Sequence, residues 1–157
     1  EEAFYYITVM NEQYDMPTMP KGAREGIIKG LYKFKGAGSR GAATAQLIGS
    51  GAILNEVVKA QELLAKYGVA ADVWSATSYN ELYRDAHRCE RWNALHPFEK
   101  PKTPYVAECL GKGPGVVVAA SDYLKSQPDM ISRWVGKHLG ETEYLWERGL
   151  ASHARKR

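Results

Sequence analysis

Near the middle of the first half of the chain, a short apolar run is followed by a glycine-rich turn and then by a helical pattern. The run AQLIG (45–49) has the composition of a short buried strand, and Ser50 and Gly51 follow it directly. After this turn, apolar residues recur at helical spacing, at Ile53, Leu54, Val57, Val58 and Leu64. The pattern predicts a strand, a tight turn and a helix of about four turns.

Strand-like and helical segments alternate along the rest of the chain. Ser78, with Glu81 three residues later, resembles a capping box for a helix that runs to about Leu95, and DMISRWV (129–135) predicts a later helix. We expect strands or extended segments at EEAFYYITVM (1–10), IIKGLYKF (27–34), ADVWSA (71–76), PKTPYVAECL (101–110) and GPGVVVAAS (113–121). Alternation of this kind predicts an α/β fold with a mixed, mainly parallel sheet covered by helices on both faces.

Composition excludes several classes of partner. The chain has 157 residues, of which 45% are hydrophobic and 25% charged, and this balance indicates one folded domain and not a disordered segment. No apolar run approaches the roughly 20 residues that a membrane helix needs. The net charge of +3 is small and its signs are interspersed, apart from a basic end at 153–157. We therefore expect neither a membrane nor a nucleic-acid partner.

Cysteine usage indicates a reducing compartment. Cys89 and Cys109 are the two cysteines, and no secretory signal precedes them. The sequence predicts two reduced, buried and unreactive thiols in a cytoplasmic protein, since no basic pattern around either residue favours a lowered thiol pKa.

The turn at Gly49, Ser50 and Gly51 has the local pattern of a phosphate-binding loop but fails each specific test. Leu54 stands where a dinucleotide fingerprint needs its third glycine, and the next strand lacks an acidic residue at its end. Ile48 stands where a nucleophile elbow needs a glycine, and a P-loop lysine is absent. The free amides at the helix N-terminus would suit an anion. Alternatively, the glycines only permit a tight turn and close helix–sheet packing.

The stretch CERWNALHP (89–97) brings chemically active residue types together without forming a site. Cys89 and His96 lie two helical turns apart, about 10 Å, which is too far for a catalytic pair. A metal would need further ligands, and His87 falls on another face of the helix. We expect a packed helix end with Trp92 as its anchor and no catalytic, cofactor-binding or metal-binding residue.

Several long strings carry a resemblance to a known family. They are FYYITVMNEQY (4–14), MPTMPKGAREGIIKGLYKF (16–34), QLIGSGAIL (46–54), DVWSATSYNEL (72–82), CERWNALHP (89–97), PYVAECL (104–110) and VVVAASDYLK (116–125). Together they resemble the C-terminal part of the homodimeric bacterial pyruvate dehydrogenases that form the decarboxylating component of the pyruvate dehydrogenase complex. The resemblance runs from residue 1 to about 135.

The resemblance implies a bacterial, cytoplasmic enzyme of the transketolase-like superfamily that uses thiamine diphosphate and Mg²⁺. The implied reaction is pyruvate decarboxylation followed by acetyl transfer to lipoyl groups. In that family the cofactor motif and catalytic histidines lie upstream of the matching segment, so no catalytic role transfers to any residue here. The implied partners are the other domains of the parent chain, a homodimer partner and the lipoyl-bearing core enzyme, and the implied role of this segment is assembly.

The resemblance also implies a division of the chain. Residues 1–20 would end a pyrimidine-binding domain and its linker, 21–135 would form a transketolase C-terminal-like α/β domain, and 136–157 a divergent tail. Because the tail lacks the family's closing motif, we expect the last strand of the sheet to be missing and EYLWERGL (143–150) to cover the open face as a helix, burying Trp146. Two alternatives stay open: an anion- or nucleotide-binding regulatory module that uses the Gly49–Gly51 turn, or a domain of another transketolase-like enzyme.

Overall fold

The computed structural model is a five-stranded sheet with helices on both faces. It describes residues 2–7, 13–38, 43–111, 113 and 115–135 in full, and 144–148 by backbone alone. Along the chain the elements are α1 (Arg24–Lys29), β1 (Leu31–Lys35), β2 (Ala43–Gly49), α2 (Ile53–Lys66), β3 (Val69–Ala76), α3 (Tyr79–Leu95), α4 (Tyr105–Leu110), β4 (Val116–Ser121), α5 (Ser126–Val135) and β5 (Tyr144–Arg148).

The sheet has the strand order β1-β3-β2-β4-β5 and is mostly parallel. Strands β2, β3, β4 and β5 run parallel, and β1 pairs antiparallel with β3 at one edge. After β2 the chain crosses to β3 on one side, and after β3 it returns to β4 on the other side. The order therefore reverses between β2 and β4, where open α/β sheets form a crevice at the carboxyl ends of their strands.

Side chains that alternate along the strands supply two cores, one on each face of the sheet. On β2, Leu47 packs against Leu54 and Val57 of α2, whereas Ile48 belongs to the core on the opposite face of the sheet. That second core is the larger one and contains the buried faces of α3, α4 and α5, with Leu82, Val106, Leu110, Ile131 and Trp134. The expectation of an α/β fold with a mixed sheet and helices on both faces is confirmed.

The strand, turn and helix predicted at residues 45–64 are present as β2 and α2. The predicted cap of α3 is also present, because Ser78 Oγ accepts a hydrogen bond from the Glu81 amide at 3.2 Å. The buried residues of α3 are Tyr79, Leu82, Ala86 and Cys89, which recur at helical spacing.

Two extended segments near the start of the chain were predicted wrongly. Residues 2–7 form no strand and are exposed, while residues 1 and 8–10 of the expected strand lie outside the described part of the chain. Within 27–34, only the second half is a strand. Its first half belongs to α1, which ends at Gly30 in the left-handed conformation (φ 98°), where the Gly30 amide donates to the Ile27 carbonyl. The left-handed glycine ends the helix, and β1 begins at the next residue. In the sequence, however, 27–34 has the alternation of apolar and polar residues that is typical of one strand.

The extended segment predicted at 101–110 is wrong, because residues 105–110 form the helix α4. Pro104 precedes the first turn, and the Tyr105 amide donates to the Asp85 carboxylate of α3 at 2.8 Å. The carboxylate that caps this helix therefore comes from a residue 20 positions earlier in the chain. No local pattern in 101–110 could show it.

The missing last strand was also predicted wrongly. Residues 144–148 form β5, which pairs parallel with β4 in a register that joins Val117 to Tyr144 and Ser121 to Arg148. A strand rather than a covering helix therefore occupies the free edge of β4, where unpaired backbone groups are available. The expected burial of Trp146 and the position of Leu150 lie outside what the structure describes.

Candidate functional site

A cleft of about 710 Å³ lies at the carboxyl ends of β2, β3 and β4. The turn after β2 lines it, together with the residues that join β3 to α3 and with Tyr123 and Gln127 beyond β4. This is the place where the strand order reverses, and its volume lies within the range of small-molecule sites. The segment before α1 forms another wall, where the Asp15 carbonyl accepts a hydrogen bond from Asn55 Nδ2 at 3.3 Å.

The two glycines of the turn have separate structural reasons. A Cβ on Gly49 would stand 2.9 Å from Leu54 Cα and 3.0 Å from Val57 Cγ2, so this glycine allows α2 to pack closely on the sheet. Gly51 has a φ of +56°, with open space around its missing side chain. Packing and backbone conformation therefore account for both glycines without a ligand.

Ser50, between the two glycines, is not accounted for in this way. Its side chain is only 4% exposed, and its Oγ has no hydrogen-bond partner. Tyr79, at the start of α3, is 5% exposed, and its hydroxyl likewise has no partner. Both residues line the cleft. A buried hydroxyl without a partner costs about 1–3 kcal/mol, which makes these two groups the unusual feature of the cleft.

The described residues that line the cleft include no charged side chain. Burial raises the pKa of Tyr79 far above its ordinary value, so its hydroxyl keeps its proton and remains a donor at neutral pH. The cleft therefore offers neutral donors: hydroxyls, side-chain amides and the backbone amides at the starts of α2 and α3.

The residues of 89–97 have separate environments in the structure. Cys89 is buried, whereas the His96 ring stacks on Trp92 at 4.4 Å between centroids. Trp92 is only half-buried and is not the packing anchor that the sequence predicts. Glu90 accepts a hydrogen bond from Trp134 Nε1 at 2.9 Å and forms an ion pair with Arg133 Nη2 at 3.0 Å. Glu90 thus joins α3 to α5.

Both cysteines are free. Burial raises the pKa of each thiol, most of all through loss of solvation, and for Cys109 a hydrogen bond with Tyr105 partly opposes this effect. Raised thiol pKa values mean less thiolate and slow reaction at neutral pH. Within the described residues no group of three or more histidine, cysteine or acidic side chains could hold a metal ion.

Sequence reasoning missed a polar network near the middle of β2 and β3. Asp72 Oδ2 accepts from Lys33 Nζ at 2.7 Å, and Asp72 Oδ1 accepts from the Ala37 amide at 2.9 Å. Gln46 bridges Asp72 and the indole of Trp74, at 3.5 and 2.6 Å. Burial acts to raise the pKa of Asp72, but these hydrogen bonds outweigh it and the pKa lies below its ordinary value.

Comparison with known proteins identifies a family model and several relatives. Residues 30–144 match the model described as the transketolase-like TK C-terminal domain.

The described helices include none that is long and apolar enough to cross a bilayer.

Several relatives bear the name pyruvate dehydrogenase E1 component. The chain is 54% identical over 136 residues to the protein from Pseudomonas aeruginosa, 50% over 137 residues to that from Escherichia coli K12, and 50% over 141 residues to that from Haemophilus influenzae. These matches cover 86–88% of this chain but only 15–16% of each relative. The chain therefore spans about 15% of the length of the curated relatives that it matches.

Proposed function

Because the chain belongs to the transketolase-like C-terminal domain family, we propose that it forms the C-terminal, non-catalytic domain of a pyruvate dehydrogenase E1 component. One observation carries this proposal: identity of 50–54% over 86% of the chain to proteins of that name, of which the match covers 15%. The parent reaction is then pyruvate decarboxylation on thiamine diphosphate, followed by acetyl transfer to lipoyl groups of the core enzyme.

The described residues do not fit the cofactor of the parent enzyme. A magnesium diphosphate needs several oxygen ligands and cationic or amide contacts, yet the described chain contains no cluster of acidic side chains that could hold the metal. The described lining of the large cleft also lacks any lysine or arginine for a diphosphate. Thiamine diphosphate and Mg²⁺ are therefore assigned to other domains of the parent chain, and no catalytic step is assigned to a residue of this domain.

The proposed role of the domain is assembly with the rest of the parent enzyme. The exposed apolar side chains of Phe4, Tyr5, Tyr6 and Ile7 support this role, because a run of large exposed apolar residues is typical of a surface that contacts another protein or domain. A homodimer partner and the lipoyl-bearing core enzyme are further partners of the proposed parent enzyme in the bacterial cytoplasm.

A chimera tests the proposal directly. Residues 1–135 of this chain would replace the matching segment of the Escherichia coli relative, and pyruvate decarboxylation would be measured in the purified chimera. If the domain has the proposed role, the chimera assembles and retains decarboxylation at a rate comparable to that of the unaltered relative. A chimera that folds but neither assembles nor decarboxylates pyruvate would contradict the proposal.

A further inference from the structure

The cleft at the carboxyl ends of β2, β3 and β4 contains two donors that nothing in the protein satisfies. Ser50 Oγ and the Tyr79 hydroxyl belong to residues that are at least nine-tenths buried, and neither finds a partner. They come from different strand–helix junctions, one after β2 and one after β3, and both residues line the same cleft. Packing explains Gly49, and backbone conformation explains Gly51. The ring of Tyr79 packs in the larger core, but packing explains neither its hydroxyl nor a serine at position 50.

Two helices of ordinary length also begin at this cleft. Ala52 and Asn55 of the first turn of α2, and Tyr79 and Asn80 of the first turn of α3, are among its lining residues. Ala52, at the start of α2, provides no side-chain cap. Each helix N-terminus carries the equivalent of about half a positive charge, so the two together correspond to about one.

The acidic residues in the first turns of these helices are already paired. Glu56 of α2 binds Lys59 at 2.8 Å, and Glu81 of α3 binds Arg84 at 2.5 Å. Neither glutamate is among the lining residues of the cleft. Ser78 Oγ already accepts from the Glu81 amide at the start of α3, whereas α2 has no side-chain cap. No carboxylate among the described lining residues compensates the partial positive charge of either helix start.

From this arrangement we propose that the cleft binds a small monocarboxylate, with its carboxylate group at the starts of α2 and α3 and hydrogen-bonded by Ser50 and Tyr79. A single negative charge matches the roughly one positive charge of the two helix ends. A phosphate dianion would leave a second charge uncompensated, because the described lining contains no lysine or arginine.

Part of the remaining lining suits an apolar body for this ligand. Met16, Pro17, Tyr32 and Tyr123 are among the lining residues, beside polar ones such as Gln127. A site with a few donors at one end and apolar or aromatic walls elsewhere is the usual form of a small-molecule pocket. An aromatic or branched aliphatic carboxylate is therefore expected to bind more tightly than acetate.

Amide chemical shifts of the ¹⁵N-labelled full chain would test the site, with sodium benzoate, sodium acetate and sodium phosphate as probes and sodium chloride at matched ionic strength as the control. Benzoate is expected to shift the Gly51, Ala52 and Asn80 amides along one saturable curve, with acetate and phosphate weaker. Absence of a saturable shift with benzoate in the unaltered chain would overturn the proposal. Tighter binding of phosphate would overturn the assignment of a monocarboxylate.

Matched variants separate the two hydroxyls from the general fold. Ser50→Ala and Tyr79→Phe are each expected to weaken benzoate binding by about two- to tenfold, the effect of one lost hydrogen bond. Ser132→Ala and Tyr105→Phe remove hydroxyls outside the cleft, which bond to the Asp129 and Leu31 carbonyls, and are expected to leave binding unchanged. Unchanged benzoate affinity in both cleft variants, with their amide spectra showing a folded chain, would contradict the assigned contacts.

Discussion

At the residue scale, the Gly49–Gly51 turn contains two glycines with different requirements. We expect Gly49→Ala to destabilise the chain by about 1–3 kcal/mol, because its Cβ would approach the Leu54 backbone and force α2 away from the sheet. Gly51→Ala is expected to cost about 1 kcal/mol, because φ is positive there although the surrounding space is open.

Gly36→Ala provides the matched control, because its Cβ would make only an ordinary 3.8 Å contact with Asp72. Its free energy of unfolding is expected to equal or slightly exceed that of the unaltered chain. Urea denaturation measures all three variants. An unchanged stability of Gly49→Ala would show that α2 does not need its close approach to β2.

Asp72 makes the stability of the chain depend on pH. Its folded-state pKa lies below the unfolded value of about 3.9, so its contribution is fully present above that value and is lost as pH falls through the folded-state pKa. Asp72→Asn is expected to destabilise the chain by about 1 kcal/mol at pH 7 and by less at pH 3. Denaturation at both pH values measures this, and a difference between the chains that stays constant with pH would contradict the role of the carboxylate.

At the scale of the elements, one carboxylate of α3 adds a polar contact to the apolar and aromatic packing of α3 against α5. Glu90 accepts a hydrogen bond from Trp134 and forms an ion pair with Arg133, so Glu90→Ala is expected to lower the free energy of unfolding by about 1–2 kcal/mol, since it leaves the buried indole N–H without its partner. Glu62→Ala removes an exposed ion pair of α2 with Lys35 and is expected to cost less than about 1 kcal/mol. Denaturation measures both variants, and an equal loss of unfolding free energy in the two would show that Glu90 contributes no more than an exposed ion pair.

The elements that the sequence predicted are those whose signals are local. The strand, turn and helix at 45–64 and the Ser78 cap each depend on neighbouring residues, and both are present. The helix α4 depends on Asp85 from another helix, and β5 depends on the free edge of β4. Contacts between residues far apart in the chain decided these two elements, and a single sequence does not display such contacts.

Only part of the candidate site could be predicted from the sequence, for the same reason. The pattern QLIGSGAIL predicted the turn and the start of α2. Tyr79 was missed because its position beside that turn results from the parallel pairing of β2 with β3. Its placement directly after the end of a predicted strand was the signal available, since parallel strands end at the same edge of the sheet.

At the scale of the whole molecule, residues 4–7 expose four large apolar side chains. We expect the chain to associate in solution through this segment, because such a surface is unfavourable in water. A double change of Phe4→Ser and Tyr6→Ser is expected to lower the associated fraction in light scattering. Phe98→Ser removes an equally exposed ring elsewhere and is expected to have a smaller effect. A chain that is monomeric before any substitution would contradict this prediction.

We propose that this domain belongs to a thiamine diphosphate enzyme without itself holding the cofactor. Isothermal titration of thiamine diphosphate with Mg²⁺ into the full chain tests this proposal. We predict no heat of binding beyond dilution at micromolar concentrations, because the described residues supply neither a metal cluster nor a charged lining for the diphosphate. Saturable micromolar binding that requires Mg²⁺ would contradict the proposal and place part of the cofactor site in this domain.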